Sequence, residues 1–283
     1  MSRAADISPL SVLLSRVDAV TDGQPPVGTF GTGFPSLDKM LGGGVRRGDL
    51  VVLGGDVASG KSALALAFAI RASIGGARVA FLTAEMTAER VLERVLAIEA
   101  RARVDELRLG TLDEATRAKA GAVALELRDH LPVIEGVAEG GVETLGTTVN
   151  ELPEIDLLII DSMSALASGE LGIDDDTADA ARQLKQLALA AGVALLVTAP
   201  LPNLEPRADR RPTLDDFGGR GCIKQHADIV LGLFRQDMYE PARDIAGATE
   251  LLVLKNRNGP TGYVDLYFYA QWMRFEDMLD PDR

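Results

Sequence analysis

The sequence is poor in cysteine and histidine: 283 residues hold only Cys222, His130 and His226. No disulfide can form within the chain and no Cys/His zinc cluster can be assembled, and the thiol usage points to a reducing compartment. Long apolar runs are missing too. The opening stretch "MSRAADISPLSVLLSRVDAV" breaks its apolar residues with Ser, Arg and Asp. It reads neither as a secretory signal nor as a span of about 20 apolar residues, so a cytoplasmic protein without a membrane partner is expected. Positive charge is also short, with 29 Lys and Arg against 42 Asp and Glu and a net charge of −13. A field of that sign repels nucleic acid and anionic membranes at long range, so any nucleic-acid contact has to be local, as in positive loops lining an enclosed channel. No repeat of about 20 to 50 residues marks a solenoid.

What is present, 47% hydrophobic and 25% charged residues, suits one large globular domain with a short appendage. Residues 9 to 20, "PLSVLLSRVDAV", set Leu10, Leu13, Leu14 and Val17 at helical spacing behind Pro9, a residue tolerated at a helix start. The Gly- and Pro-rich "TDGQPPVGTFGTGFPS" reads as a linker, so the helix either folds back on its own core or packs elsewhere. Residues 1–30 are thus a linker helix and flexible linker, and 31–283 the domain proper.

From residue 49 onward, short apolar runs alternate with helical patterns. "LVVLGG" precedes a helix from Lys61, "RVAFLTA" a helix from Thr87 to about Arg103, and "LPVIEG" a helix after Val142. "IDLLIID" then precedes a helix from about Asp176 to Ala191, followed by "GVALLVTAP". This rhythm predicts an α/β fold, a mostly parallel sheet with helices on both faces. In the last third, "ADIVLGLF", "TELLVLK" and "GYVDLYFYA" are joined by turns such as Asn-Gly-Pro without a helix long enough for a crossover. That pattern predicts an antiparallel C-terminal extension of the sheet.

Gly55 to Ser62, "GDVASGKS", fits G-x-x-x-x-G-K-[ST] between a predicted strand and a predicted helix, a context that separates it from a chance glycine turn. The backbone N–H groups of the loop, Gly55 through Ala58, Ser59 and Gly60, and the helix N-terminus suit a triphosphate. Lys61 can reach the outer phosphates and the Ser62 hydroxyl can ligate magnesium, so ATP and Mg2+ are the expected ligands. Asp161, at the tip of the apolar strand "LLIID", is the candidate acidic partner of the magnesium ion or its waters. Glu85 in "FLTAEMT" follows the next strand and belongs at the same carboxyl edge of the sheet, where ligands bind in such folds. It either polarises the attacking water or is a helix-start acid favoured by the dipole.

Five segments, in order, make the chain recognisable: "TGFPSLDKMLGGGVRRGDLVVLGGDVASGKSALAL", "VAFLTAEMTAERVLERVLAIEARARVDELRLGTL", "LLIIDSMSAL", "EPRADRRPTLDDFGGRGCIKQHADIVLGLFRQDMY" and "LKNRNGPTGYVDLYFYAQWMRFED". From about Gly31 to Asp277 they resemble the motor domain of the DnaB-type replicative helicases. The resemblance implies a RecA-like P-loop NTPase core, assembled as a hexameric ring around single-stranded DNA, with ATP sites between subunits and 5′ to 3′ unwinding. It implies that Gly60, Lys61 and Ser62 hold phosphate and magnesium, that Asp161 is the metal-side acid, and that Glu85 is the catalytic base. Lys255 and Arg257, which alone read as solvated strand-end charges, resemble the family's trans-acting lysine and arginine finger, which reach the γ-phosphate bound by a neighbour. An arginine finger can contribute several orders of magnitude to phosphoryl transfer. The helix at 9–20 sits where the family keeps a linker helix that docks on the adjacent motor domain. The DNA-facing loops are expected to include Arg207, Arg210, Arg211, Arg220 and Lys224, although the stretch also reads as an ordinary mixed-charge loop, with Asp209, Asp215 and Asp216 in it.

Three departures from the family pattern bear on function. The family carries a further helical domain before the linker helix; the sequence starts only a few residues ahead of that helix, so primase and loader contacts are not among its expected partners. Where the family places a glutamine that senses the γ-phosphate, the chain reads Thr198-Ala199-Pro200, and neither alanine nor proline has a side chain that donates a hydrogen bond. The segment "SGELGIDDDTADAARQ" is acidic where a DNA-facing loop is expected, or is a helix N-terminus enriched in Asp. Two further readings stand beside the helicase. One is a RecA-like assembly or signalling ATPase that oligomerises without unwinding DNA, and the other is a filament-forming recombination or repair ATPase.

Overall fold

The strand Leu50–Gly55 is buried along its whole length, and its side chains alternate between two cores, Val51 and Leu53 on one face, Leu50 and Val52 on the other. A strand covered on both faces needs this continuous apolar run. The computed structural model describes residues 9–23, 26–137, 141–166, 173–240 and 245–278. Part of the linker (residues 24–25) and part of the acidic segment (residues 168–172) lie outside the described residues.

In chain order, α1 (Pro9–Thr21) precedes a small antiparallel pair, β1 (Thr29–Phe30) and β2 (Val45–Arg46), flanking α2 (Pro35–Met40). Then come β3 (Leu50–Gly55), α3 (Lys61–Ile74), β4 (Val79–Thr83), α4 (Ala88–Ala100), α5 (Val104–Leu109) and α6 (Glu114–Leu127). These are followed by β5 (Val133–Gly136), α7 (Gly141–Glu151), β6 (Leu157–Asp161), α8 (Ile173–Ala191), β7 (Ala194–Ala199) and α9 (Cys222–His226). The chain closes with β8 (Ile229–Arg235), β9 (Ala248–Asn256), β10 (Gly262–Tyr269) and β11 (Arg274–Asp277). The main sheet has nine strands in the order β11-β10-β9-β8-β3-β7-β6-β4-β5. The six from β8 to β5 in that order are parallel, and the edge β9 to β11 is antiparallel. No helix among the described residues is long and apolar enough to cross a membrane.

The structure differs from expectation in two places. "ADIVLGLF" is the junction of the two parts of the sheet: β8 pairs antiparallel with β9, as expected, but parallel with β3 on its other side, Val51 opposite Ile229 and Gly54 opposite Gly232. The crossover from β7 is made without a long helix, by a connection that buries Phe217 and Ile223 on the sheet face. Of the two readings left open for α1, the structure does not show the helix folded back on the core, because Leu10, Leu13, Leu14 and Val17 are all exposed, Leu13 at 55% and Val17 at 54%. The sequence between Arg103 and His130 also holds two further helices, α5 and α6, which carry few buried side chains and so leave little apolar pattern to read.

The register fixes which residues share an edge. Gly54 pairs with Ala199 and Thr83 with Asp161, so the loop after β3 and the ends of β4, β6 and β7 open on one carboxyl edge. β9 runs the other way, so its end at Asn256 lies beside Ile229, at the amino edge of the parallel strands. The six-residue β3 separates the two edges by roughly 17 Å.

Candidate functional site

The loop between β3 and α3 turns on two positions where only small residues fit. Gly60 adopts φ +103°, and a Cβ there would lie 2.9 Å from Phe275 Cζ; a Cβ on Gly55 would lie 2.6 Å from Ser59 Oγ. Ala58 also takes a positive φ, 63°. The loop therefore leads directly into the N-terminus of α3, where unpaired N–H groups and the helix dipole favour an anion.

Lys61 bends over this loop and donates to the carbonyls of Gly55 and Asp56, both at 2.9 Å. Burial pulls its ammonium below the ordinary lysine value, against the opposing pull of Asp161, Asp56 and Glu85. Beside it, Ser62 Oγ donates to Asp161 Oδ1 at 3.1 Å, and Thr198 Oγ1 donates to the same oxygen at 2.6 Å. Asp161 is almost fully buried, and its second oxygen, Oδ2, has no hydrogen-bond partner among the described residues. Ser59 Oγ is buried and, among the described residues, unpartnered as well. Leaving a buried polar atom unsatisfied costs about 1–3 kcal/mol, so these two atoms mark a place built for something polar. The fit of the cleft to a nucleotide phosphate and a divalent cation is good: the Ser62 hydroxyl and the Asp161 carboxylate converge on one point, and oxygen ligands are what magnesium takes.

Glu85 completes the cleft. Its backbone N–H is held by Thr83 Oγ1 at 3.2 Å, and its Oε1 accepts from Ser162 Oγ at 3.2 Å. Lys61, Ser62, Glu85 and Asp161 all line one cavity of about 480 Å³. Arg94, Ser162, Thr198 and Pro200 line it too, of which the sequence singled out only the 198–200 stretch, for what it lacks. Arg94 had a readable signal, since it faces the same way as Arg90 one turn earlier on the helix that leaves this edge.

Lys255 and Arg257 are not in this cleft. Arg257 Nε lies 3.2 Å from Asp228 Oδ1 and its Nη2 donates to Gln225 O at 3.2 Å, while Lys255 Nζ donates to the carbonyls of Lys224 and Ala227. Burial, followed by repulsion from Arg257, lowers the Lys255 ammonium. Both residues sit at the amino edge of the parallel strands, beyond side-chain reach of the phosphate loop of their own subunit.

The five cations expected to face DNA are spoken for to different degrees. Arg207 makes a two-pronged bond to buried Asp216, at 2.7 and 2.6 Å, and Arg211 does the same with Glu250, at 2.7 and 2.5 Å. These two arginines staple the loop to itself and to β9. Lys224 pairs with Asp215, and Arg220 with Asp175 at 2.9 Å while staying 69% exposed. The Arg210 guanidinium lies 5.3 Å from the centre of the Tyr239 ring. The acidic start of α8 has a structural task here, because Asp174 accepts from Gly219 N at 3.0 Å and Asp175 holds Arg220.

Comparison with known proteins places this fold in a family. The sequence model of the DnaB-like helicase C terminal domain matches residues 29–277. The replicative DNA helicase DnaB of Leifsonia xyli subsp. xyli is 31% identical over 260 residues, covering 87% of this chain and 55% of the relative. The replicative DNA helicase DnaC of Bacillus subtilis is 28% identical over 255 residues, covering 87% of this chain and 56% of the relative. The chain thus spans about half the length of the curated relatives it matches. Among solved structures, an ATPase domain superposes with a TM-score of 0.84 at 23% identity, over 96% of this chain and 99% of that one. A DnaB-like replicative helicase, from a structure describing its interactions with primase, gives 0.83 at 22% identity over 95% of this chain and 66% of that one. At such identities the superpositions speak for the fold.

Proposed function

Because the chain belongs to the DnaB-like helicase C terminal domain family, we propose that it is an ATP-driven motor that unwinds DNA 5′ to 3′ as a ring, a hexamer in the first instance, around single-stranded DNA in the cytoplasm. The observation that carries this reading is the separation of the two halves of the ATP chemistry. Gly55, Ala58, Ser59, Gly60, Lys61, Ser62, Glu85 and Asp161 belong to one edge of the sheet, and Lys255 and Arg257 to the other, roughly 17 Å away. A subunit built this way can complete a site only in a neighbour, so hydrolysis depends on assembly.

Within one site, the loop N–H groups and Lys61 bind the phosphates, and Gly55 and Gly60 let the backbone come close. Magnesium, held by Ser62 and Asp161, would neutralise phosphate charge when bound. Glu85, held by Ser162, orients the attacking water and accepts its proton. The neighbour's Arg257 and Lys255 meet the charge that develops on the γ-phosphoryl group, where such donors contribute most. Arg220, Lys224 and Arg210 are the proposed DNA contacts, with Arg207 and Arg211 shaping the loop that presents them. The exposed apolar face of α1 docks on the adjacent motor domain.

The test is steady-state ATP hydrolysis with and without single-stranded DNA at low salt, for the wild type and Arg257→Ala. Stimulation by DNA that Arg257→Ala removes is the expected result; hydrolysis indifferent to DNA would sink the motor reading. One observation favours the second reading, an assembly or signalling ATPase without unwinding: four of the five cations that the sequence points to for DNA are already engaged by carboxylates. The same experiment separates the two.

A further inference from the structure

Asp228 sits where three elements meet at the amino edge of the sheet, and its side chain is only 4% exposed. Its Oδ2 accepts from Leu50 N, at the start of β3, at 2.8 Å and from Lys185 Nζ, on α8, at 2.6 Å. Its Oδ1 faces Arg257 Nε at 3.2 Å. The main chain repeats the connection: Asp228 N donates to Leu50 O at 2.9 Å and Arg257 N donates to Asp228 O at 2.8 Å. Backbone and side chain of Arg257 are both keyed to one buried residue, and through it to the strand that carries the subunit's own phosphate loop.

The way the guanidinium is held matters. Nε lies against the Asp228 carboxylate as an ion pair and Nη2 donates to the Gln225 carbonyl, whereas Nη1 makes no hydrogen bond among the described residues and the side chain is half exposed. A planar fork held along one edge by a hydrogen bond and an ion pair is restrained in orientation and keeps its other edge available. An exposed arginine without such a grip has to be ordered at the moment of reaction, whereas a donor fixed beforehand acts without reorganisation.

We propose that Asp228 is a positioning residue for Arg257: its carboxylate sets the guanidinium plane so that the free edge is presented to the phosphate of the neighbouring subunit. The inference rests on the reading of Arg257 as a trans-acting group. Asp228 touches neither nucleotide nor phosphate loop, so its removal acts on the rate of the chemical step in the neighbour and not on nucleotide binding in its own subunit.

Asp228→Asn in the full chain keeps an acceptor for Leu50 N but removes the charge that grips Nε. DNA-stimulated kcat should fall by about tenfold to about a hundredfold, the scale of a misplaced catalytic group, with KM for ATP changed less than about twofold. In an Arg257→Ala background the same substitution should leave kcat where it is, because the group it positions is gone. A merely structural role would lower kcat in both backgrounds. Asp228→Asn alone leaves the Lys185 ammonium buried without its carboxylate and threatens folding, so Asp228→Asn/Lys185→Met, which removes the pair together, is the companion variant and should show the same loss. Full kcat in either folded, assembled variant, while Arg257→Ala is impaired, overturns the proposal, and so does a further loss of kcat on top of Arg257→Ala. If Arg257→Ala itself hydrolyses at the wild-type rate, it is the trans-acting reading that fails, and the positioning role falls with it.

Discussion

Tyr239 donates its hydroxyl to Asp56 Oδ2 at 2.8 Å, tying the segment after β8 to the phosphate loop. Burial, then this bond and the Asp56 charge, push the phenol up to about 12, so it stays a donor across the working pH range. A carboxylate inside a phosphate loop opposes an incoming polyphosphate, and a hydrogen bond to it draws off part of that charge. Tyr239→Phe should therefore weaken ATP binding, by up to about tenfold for a lost hydrogen bond to a charged group. kcat at saturating ATP should stay near the wild-type value. Titration with a fluorescent ATP analogue measures this; unchanged affinity would mean that Asp56 does not feel the nucleotide.

Thr198 is the part of the departure at 198–200 that the structure turns into a contact. Its hydroxyl, fully buried, donates to Asp161 Oδ1 at 2.6 Å, alongside Ser62. Thr198→Val keeps the shape and deletes the donor, freeing Asp161 to rotate away from the metal side of the site. The magnesium concentration for half-maximal hydrolysis should rise several-fold with little change in ATP affinity. Magnesium titrations of the ATPase rate check this, and an unchanged midpoint would detach Thr198 from the metal side of the site.

Some of this is readable without the structure and some is not, for physical reasons. The phosphate loop, β3, Glu85 and Asp161 are legible because strand, loop and helix follow one another within a short stretch and each local signal is strong. The direction of β8 is not, because the crossover that carries it packs Phe217 and Ile223 in place of a long helix. Helices α5 and α6 escape because they bury so few side chains that no apolar stripe stands out. The ion pairs of Arg211 with Glu250 and of Arg220 with Asp175 join residues 39 and 45 positions apart, so charge counting along the loop could not foresee which cations stay available.

Lys61 gives the nucleotide site a pH signature. Burial holds its ammonium below the ordinary lysine value. Below the folded-state value both folded and unfolded chains carry the proton, and the cost of the buried charge is constant. Between the folded-state and ordinary values the unfolded chain binds more protons, so this residue's contribution to stability rises with pH. ATP affinity moves the other way, because the charge facing the phosphates is being lost. Binding should therefore decline on the alkaline side before an ordinary lysine titrates, and Lys61→Arg, which stays protonated, should flatten that decline. Affinity measured from neutral to alkaline pH decides it.

Arg207 and Arg220 should separate in function although both lie in the same loop. Arg207→Ala leaves the buried Asp216 carboxylate without its two-pronged partner. Allowing for its one-third exposure, this should cost about 1–3 kcal/mol of stability, read in a denaturant melt. Arg220→Ala leaves stability nearly unchanged, since its pair with Asp175 is exposed. Its effect should instead be on single-stranded DNA, reducing the slope of log affinity against log salt by about 0.7 for one lost phosphate contact. Equal salt slopes for wild type and Arg220→Ala would remove Arg220 from the DNA interface.

The apolar face of α1 bears on assembly. Leu13 and Val17, one turn apart, are more than half exposed on a helix whose other apolar residues Leu10 and Leu14 are exposed as well. Four such residues at helical spacing form a stripe that a lone subunit gains nothing by exposing, and burying one Leu or Val contributes about 1.5–3 kcal/mol. Leu13→Asp or Val17→Asp should leave the thermal unfolding of the subunit unaltered, since neither side chain touches the core. Each should weaken subunit association by about tenfold to a hundredfold, seen in sedimentation as a shift from ring to smaller species, with DNA-stimulated hydrolysis falling in step because Arg257 no longer meets a neighbour's site. Intact assembly in both variants would mean that α1 serves some other contact. A drop in unfolding temperature would mean that the helix packs on its own subunit after all.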